Sequence, residues 1–192
     1  MIKVKRDKTL EVVVEQLLKH LRLAGDEYKE TPRRVSDMLH LCTEGMNKNC
    51  KEYMGRLLPY KHKEMIAIKH IEFFSLCPHH LMPYFGEVDV AYIPAGCIVG
   101  LSKFHSLVEC VASKPQLQEA LTSEIANTID ETLHPLGCMV IVEAQHTCMF
   151  IRGRYDYSQM SRVHEKTITS ALRGIMLSTE GPRMEALKLL GR

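Results

Sequence analysis

The chain has 192 residues and a net charge of +2, from 25 basic and 23 acidic side chains. That length fits one domain, or one domain with a helical appendage, and is enough to bury a real core. Balanced, interspersed charge argues against general nucleic-acid binding and against a polybasic membrane patch, and the basic clusters at Lys3 to Lys8 and Lys48 to Lys63 read as solvated surface. The first fifty residues are predicted helical. Leu10, Val13, Val14, Leu17, Leu18 and Leu21 follow the helical period, and Gly25 stands where a C-cap belongs. Glu11, Glu15 and Gln16 interrupt this apolar run, so it reads as neither a signal peptide nor a membrane span. A second helix is predicted to open at Thr31-Pro32, a capping hydroxyl followed by proline, with Val35, Met38, Leu39, Cys42 and Met46 as its apolar stripe. Asn47 to Glu64, polar and carrying Gly55 and Pro59, reads as a linker. The predicted division is therefore a helical region over 1–63 and a second domain over 64–192.

From Met65 the pattern becomes that of strands. Met65 to Ser75 is a strand whose alternation slips between Ile68 and Ile71, which predicts a bulge. Val88, Val90 and Tyr92 alternate with Glu87, Asp89 and Ala91 in a half-buried strand ended by Pro94-Ala95-Gly96. Helical sequence follows over Ser102 to Val111 and Pro115 to Leu133. Cys138 to Ala144 and Lys166 to Leu172 supply two further strands. Helices, two strands, helices and two strands predict an α+β fold, a four-stranded antiparallel sheet with two helices between the strand pairs. The seven cysteines, an odd number, and the missing signal sequence predict a reducing, cytoplasmic setting with free or metal-bound thiols.

Chemistry concentrates in two places, Cys77-Pro78-His79-His80 and His146-Thr147-Cys148. Two thiols and three imidazoles are the ligand types a zinc site recruits, and a Cys₂His set leaves a fourth position open, as catalytic sites do. Cys77 and His80 are three apart, so one turn brings them to the same side. His146 and Cys148 are two apart, so on a strand they share a face. Cys77, His80 and Cys148 then become the ligands, with His79 and His146 free for proton transfer. The spacing accommodates a plainer alternative equally well, in which Cys148 is a core thiol and His79-His80 an ordinary loop pair.

Phe74-Ser75-Leu76-Cys77-Pro78-His79-His80-Leu81-Met82-Pro83, Gly100-Leu101-Ser102-Lys103, Gln116-Leu117-Gln118-Glu119, His146-Thr147-Cys148-Met149 and Arg152-Gly153 occur in the order and close to the spacing of the GTP cyclohydrolase I family, which the chain resembles from about Gly25 onward. Thr31-Pro32-Arg33-Arg34-Val35 is similar to that family's N-terminal helix signature. The resemblance implies a tunnelling fold, with sheets joined between subunits in a ring and a homodecamer as the usual assembly. It implies one zinc per subunit on Cys77, His80 and Cys148, iron not being excluded, and attack of a zinc-activated water on C8 of the guanine of GTP. Formate leaves and 7,8-dihydroneopterin triphosphate forms. His79, His146 and Ser102 resemble catalytic residues. Glu119 resembles the guanine anchor, its two carboxylate oxygens facing N1–H and the 2-amino group, with Gln118 as its companion. Leu101, Lys103, Arg152 and Arg34 resemble further substrate-binding residues, the basic ones for phosphate. Ser102 and Glu119 each have a local alternative, as a helix N-cap and as a first-turn acid on the helix dipole.

Several positions depart from the family pattern. Pro78 replaces a usual Glu, Ser106 a usual phosphate-binding Arg, and Asp37 a Lys that some members carry. Arg154 to Glu165 is longer than the family's connection and holds Arg154, Arg162 and His164. These departures leave two alternatives beside GTP: a guanine nucleotide with fewer phosphates, or a zinc-stabilised ring that binds nucleotide or protein without turnover. The Cys-x-x-Cys and His-x-Glu segments of a zinc nucleobase deaminase are absent, as are P-loop and dinucleotide fingerprints.

Overall fold

The computed structural model describes residues 6–61, 63–153 and 165–192. Its packing divides between Glu44 and Gly45 into two compact units. In the first, helix α1 (Lys8–His20) is capped by Asp7, whose carboxylate accepts from the N–H groups of Thr9 and Leu10 at 2.9 and 3.0 Å. A two-bond fork from Arg6 to the buried Glu11, at 2.6 and 2.7 Å, ties down the same turn. The expected C-cap at Gly25 lies elsewhere. Arg22, at φ 58°, ends α1, with the Arg22 and Leu23 N–H groups donating to the carbonyls of Lys19 and Leu18. That is a Schellman turn, and it closes before Gly25 is reached. Helix α2 (Thr31–Thr43) begins one residue earlier than predicted, with Thr31 inside it and Glu30, which makes no side-chain cap bond, outside. Asp37 pairs with Arg33 at 3.8 Å along the same helix.

The second unit is built on a four-stranded antiparallel sheet in the order β2-β3-β5-β6. The strands are β2 (Ile66–Leu76), β3 (Pro83–Ile93), β5 (Gly137–His146) and β6 (Thr167–Gly174). A small pair, β1 (Leu58–Pro59) and β4 (Cys97–Ile98), lies apart from it. The predicted bulge is present: the β2–β3 register shifts between Ile68 and Ile71. There His70 takes φ 59° and gives its N–H to the buried Asp89 carboxylate at 2.9 Å. Helices α3 (Ser102–Ala112) and α4 (Gln118–Leu133) join the strand pairs, as expected. Phe104, Leu107, Leu121, Ile125 and Ile129 from these helices pack with Ile71, Val88, Val90, Val140 and Val142 into the main core. The opposite face carries a smaller core of Ala91, Ile93, Met139 and Ile141. It is covered by α6 (Ile175–Ser178) and α7 (Glu180–Leu190), two helices that sequence patterning did not anticipate.

Two expectations for the 47–64 stretch need correction. A 3₁₀ turn over Cys50–Met54 buries Cys50 and Met54, so this part of the presumed linker belongs to the core of the second unit. Cys50 is also disulfide-bonded to Cys110 of α3, whereas all thiols were expected free or metal-bound. Cys42, Cys77, Cys97, Cys138 and Cys148 remain free. Closing a loop with a sequence separation of 60 is worth up to about 4 kcal/mol through the unfolded chain. Reductant, or Cys50→Ala, is therefore expected to lower Tm by about 10 °C. Identical melting curves for oxidised and reduced protein would contradict the bridge.

Candidate metal centre

The site is assembled where three chain segments leave the sheet. Leu76 and Pro83 form the last register pair of β2 and β3, so Cys77 to Met82 is the hairpin loop. Its ends are tied by Cys77 N–H donating to the Met82 carbonyl at 2.8 Å. Within the loop the Cys77 carbonyl accepts from His80 N–H at 3.3 Å and Leu81 N–H at 2.8 Å, and Leu81, at φ 51°, makes the return. This curl sets Cys77 Sγ and His80 Nδ1 3.7 Å apart. Cys148 arrives differently from the expectation. Strand β5 ends at His146, and Cys148 is the second residue of α5 (Thr147–Gly153) rather than a strand neighbour of His146. Thr147 donates its hydroxyl to the Pro83 carbonyl at 2.6 Å, which anchors the turn into that helix. The Cys77, His80 and Cys148 donor atoms all lie within 4.8 Å of one another.

This trio fits a zinc-type ion. Tetrahedral bonds of about 2.3 Å to sulfur and 2.0–2.1 Å to nitrogen place such donors about 3.6 Å apart, close to the Cys77–His80 distance. Both thiols are nearly buried, and burial, then the neighbouring Cys77, raises the Cys148 thiol above its ordinary range. A buried thiol such as Cys148 resists ionisation on its own, and a divalent cation beside it removes that penalty. The plainer alternative, a core thiol beside a loop histidine pair, does not account for two thiols and an imidazole converging. His79 Nδ1 lies 3.8 Å from Cys77 Sγ, and its ring stands at 75° to that of His80. It remains outside the three-donor group.

Beside the cluster is a cavity of about 260 Å³ lined by Cys77, His79, His80, Gln118, Glu119, His146 and Cys148, among others. A larger hollow of about 680 Å³ lies along the sheet between Phe74, Phe85, Glu87 and Lys166 but holds none of the predicted site residues. His146 stacks flat on Tyr84, its register partner across β3 and β5, with ring centroids 4.6 Å apart and an interplanar angle of 4°. Burial lowers the His146 pKa below its ordinary value, partly opposed by the Glu119 carboxylate. Burial also pushes the Tyr84 phenol up to about 12. It therefore stays protonated and donates to the Gln116 carbonyl at 3.2 Å. Glu119 is exposed in the first turn of α4, while Gln118 beside it is buried.

Other predicted residues lie elsewhere. Leu101, Ser102 and Lys103 open α3 and do not line the cavity of this chain. Ser102 is not an N-cap: it lies inside the helix, behind Leu101, and its carbonyl accepts from the Ser106 hydroxyl at 3.3 Å. Lys103 runs along Gly55, where a β-carbon would come within 2.9 Å of its Cε. Arg34 is exposed in the other unit. Arg152 lies in α5 with its side chain outside the described residues, and Arg154, Arg162 and His164 fall outside the described residues altogether. Sequence reasoning missed Tyr84, although it continues the inward alternation of Val88, Val90 and Tyr92.

An α+β domain with a two-thiol, one-imidazole cluster bordering a cavity presents a candidate metal site with a fourth position open. The GTP cyclohydrolase I family profile matches residues 10–191. GTP cyclohydrolase 1 of Carboxydothermus hydrogenoformans is 40% identical over 185 residues, spanning 95% of this chain and 93% of that one. The Bacillus subtilis GTP cyclohydrolase 1 is 43% identical over 164 residues, 85% and 83% of the two chains. An archaeosine synthase QueF-like apo structure is similar at 18% identity and a TM-score of 0.44, covering 59% of this chain and 97% of that one, too loosely to bear on the assignment. The chain belongs to the GTP cyclohydrolase I family of enzymes.

Proposed function

We propose that the protein opens the imidazole ring of the guanine of GTP, releases formate and forms 7,8-dihydroneopterin triphosphate, with one zinc ion per subunit held by Cys77, His80 and Cys148. The observation that supports this most is the convergence of that donor trio with His146 and Glu119 on one cavity. Bound there, zinc supplies Lewis-acid polarisation and lowers the pKa of a water toward neutrality. His146 delivers a proton to the departing ring nitrogen, and His79 orients or moves a second proton. Glu119 accepts from guanine N1–H and the 2-amino group, a donor pair that adenine lacks on that edge. The test is turnover of GTP by metal-loaded protein, followed by formate and by fluorescence of the oxidised pterin. Chelation should abolish both signals, and metal-independent turnover would defeat the reading.

Ser102, Leu101, Lys103, Arg34 and Arg152 complete the site from other parts of the assembly in this reading, Ser102 near the ribose and the basic groups on phosphate. The cavity of about 260 Å³ falls short of the roughly 300–1,000 Å³ of a whole small-molecule site, in keeping with a site shared between chains. Among the described residues β2 and β6 are the sheet's edges, and joining them between copies would close a ring. Light scattering should find a homodecamer; an active monomer would refute the shared site. No described helix is long and apolar enough to cross a membrane. We place the enzyme in the cytoplasm on its family alone, since the Cys50–Cys110 bridge removes the argument from free thiols, and with no nucleic-acid or membrane partner.

One observation favours a guanine nucleotide with fewer phosphates as the second reading. Ser106 turns its hydroxyl back onto its own helix, and Asp37 is engaged with Arg33, so neither supplies positive charge. An arginine–phosphate contact is worth about 1.5–3 kcal/mol, or roughly ten- to a hundredfold in affinity. Ser106→Arg should therefore lower KM for GTP by up to about that factor and change KM for GMP little. No effect on GTP would mean that another group already holds the phosphates.

A further inference from the structure

We infer that Gln118 is a positioning residue for His146 and not a ligand of the guanine base: together with Tyr84 it fixes the plane and the tautomer of the imidazole, leaving Nδ1 as the nitrogen that faces the reaction. The inference deepens the function proposed above and rests on it for the reaction served. Gln118 is the first residue of α4 and is only 2% exposed, although it borders the cavity. Its amide nitrogen lies 3.1 Å from the Val142 carbonyl, 3.0 Å from the Thr167 carbonyl and 3.1 Å from the Thr169 hydroxyl. Carbonyl oxygens cannot donate, so the NH₂ end must face them, and this settles which way the amide points. Thr122 supports the arrangement by donating to the Gln118 main-chain carbonyl at 2.7 Å and by meeting the Thr169 hydroxyl at 2.6 Å.

The rest follows from bonding capacity. Gln118 Oε1 can only accept, and it lies 2.8 Å from His146 Nε2. Nε2 must therefore carry the hydrogen, and in the neutral ring Nδ1 is then bare. The opposite tautomer would set two lone pairs against each other at that distance. The stack on Tyr84 fixes the ring plane, while the bond to Gln118 fixes its rotation within the plane. Nδ1 is then the nitrogen that takes up a proton released by the attacking water and passes it to the leaving nitrogen of the substrate, while the Nε2–H bond to Gln118 stays intact throughout. With both amide protons directed at protein oxygens, Gln118 offers the base no donor. Glu119, exposed one residue further along, keeps that role.

The test uses full-length, metal-loaded protein with GTP, in the parent, Gln118→Ala and Gln118→Glu forms. Gln118→Ala should lower kcat by about a hundredfold, toward the low end of what a positioned acid–base group contributes. KM for GTP should stay within about twofold, with metal content unchanged. Gln118→Glu, whose protonated carboxyl still accepts from Nε2–H and donates to one carbonyl, should recover about tenfold of the loss. A rise in KM with kcat preserved would make Gln118 a base ligand and overturn the inference, and so would Gln118→Glu behaving no better than Gln118→Ala. Solid-state ¹⁵N NMR of histidine-labelled parent protein, with His146 assigned by difference from His146→Ala, reads the tautomer directly and needs no Gln118 variant to fold. A single Nε2–H form is expected, and an Nδ1–H form overturns the inference. If the parent releases no formate from GTP the proposed function fails, and the NMR result still decides the His146–Gln118 geometry by itself.

Discussion

Replacing Cys148 by serine should strip the metal from the protein and take formate release with it. A serine hydroxyl does not ionise near neutral pH and is a poor substitute for thiolate at a borderline-soft ion. Binding energies of about 10–16 kcal/mol for fully ligated protein zinc put about 3–4 kcal/mol on each ligand. Losing one then costs several hundredfold in affinity. The effect should be cleaner here than at a surface site, because Cys148 is buried and its donor atom sits with those of Cys77 and His80. Metal analysis after dialysis and a formate assay check it. Full occupancy in Cys148→Ser would remove that residue from the ligand set.

His146→Ala should behave in the opposite way with respect to the metal. The imidazole is held by Tyr84 and Gln118, and His146 is not part of the donor trio. Its loss should leave metal content at the parent level and lower formate release by about 10²–10⁴-fold, the usual contribution of a positioned acid–base group. Parallel loss of metal and activity would make His146 a ligand and would reverse the assigned roles.

Much of the sheet was legible because each strand has one face on the core. Val88, Val90 and Tyr92 announce their strand by alternation, and the slip between Ile68 and Ile71 announces the bulge that Asp89 completes. Ligand type and spacing suggested the candidate metal trio but left a core-thiol alternative level with it, and one step of that reasoning was wrong. Cys148 was placed on a strand, but Thr147 turns back onto Pro83 and the chain coils immediately after His146. A tertiary bond decided what periodicity across two residues could not. The Cys50–Cys110 bridge was illegible for a similar reason: partners separated by 60 positions carry no local signature. Gln118 was read, by resemblance, as the companion of Glu119 at the base. Only the meeting of α4 with β5 and β6 directs its amide inward. Helix α7 escaped notice because its buried residues, Ala186 and Leu190, make a thin stripe.

The central claim is that this cluster acts on C8 of guanine in GTP. Incubation of the metal-loaded protein with GTP carrying ¹³C at C8, followed by ¹³C NMR, tests it most directly. The label should move stoichiometrically into formate, with an unlabelled dihydropterin triphosphate as the other product. Label that stays in the purine ring while phosphate is released, or that shows no change at all, would contradict the claim.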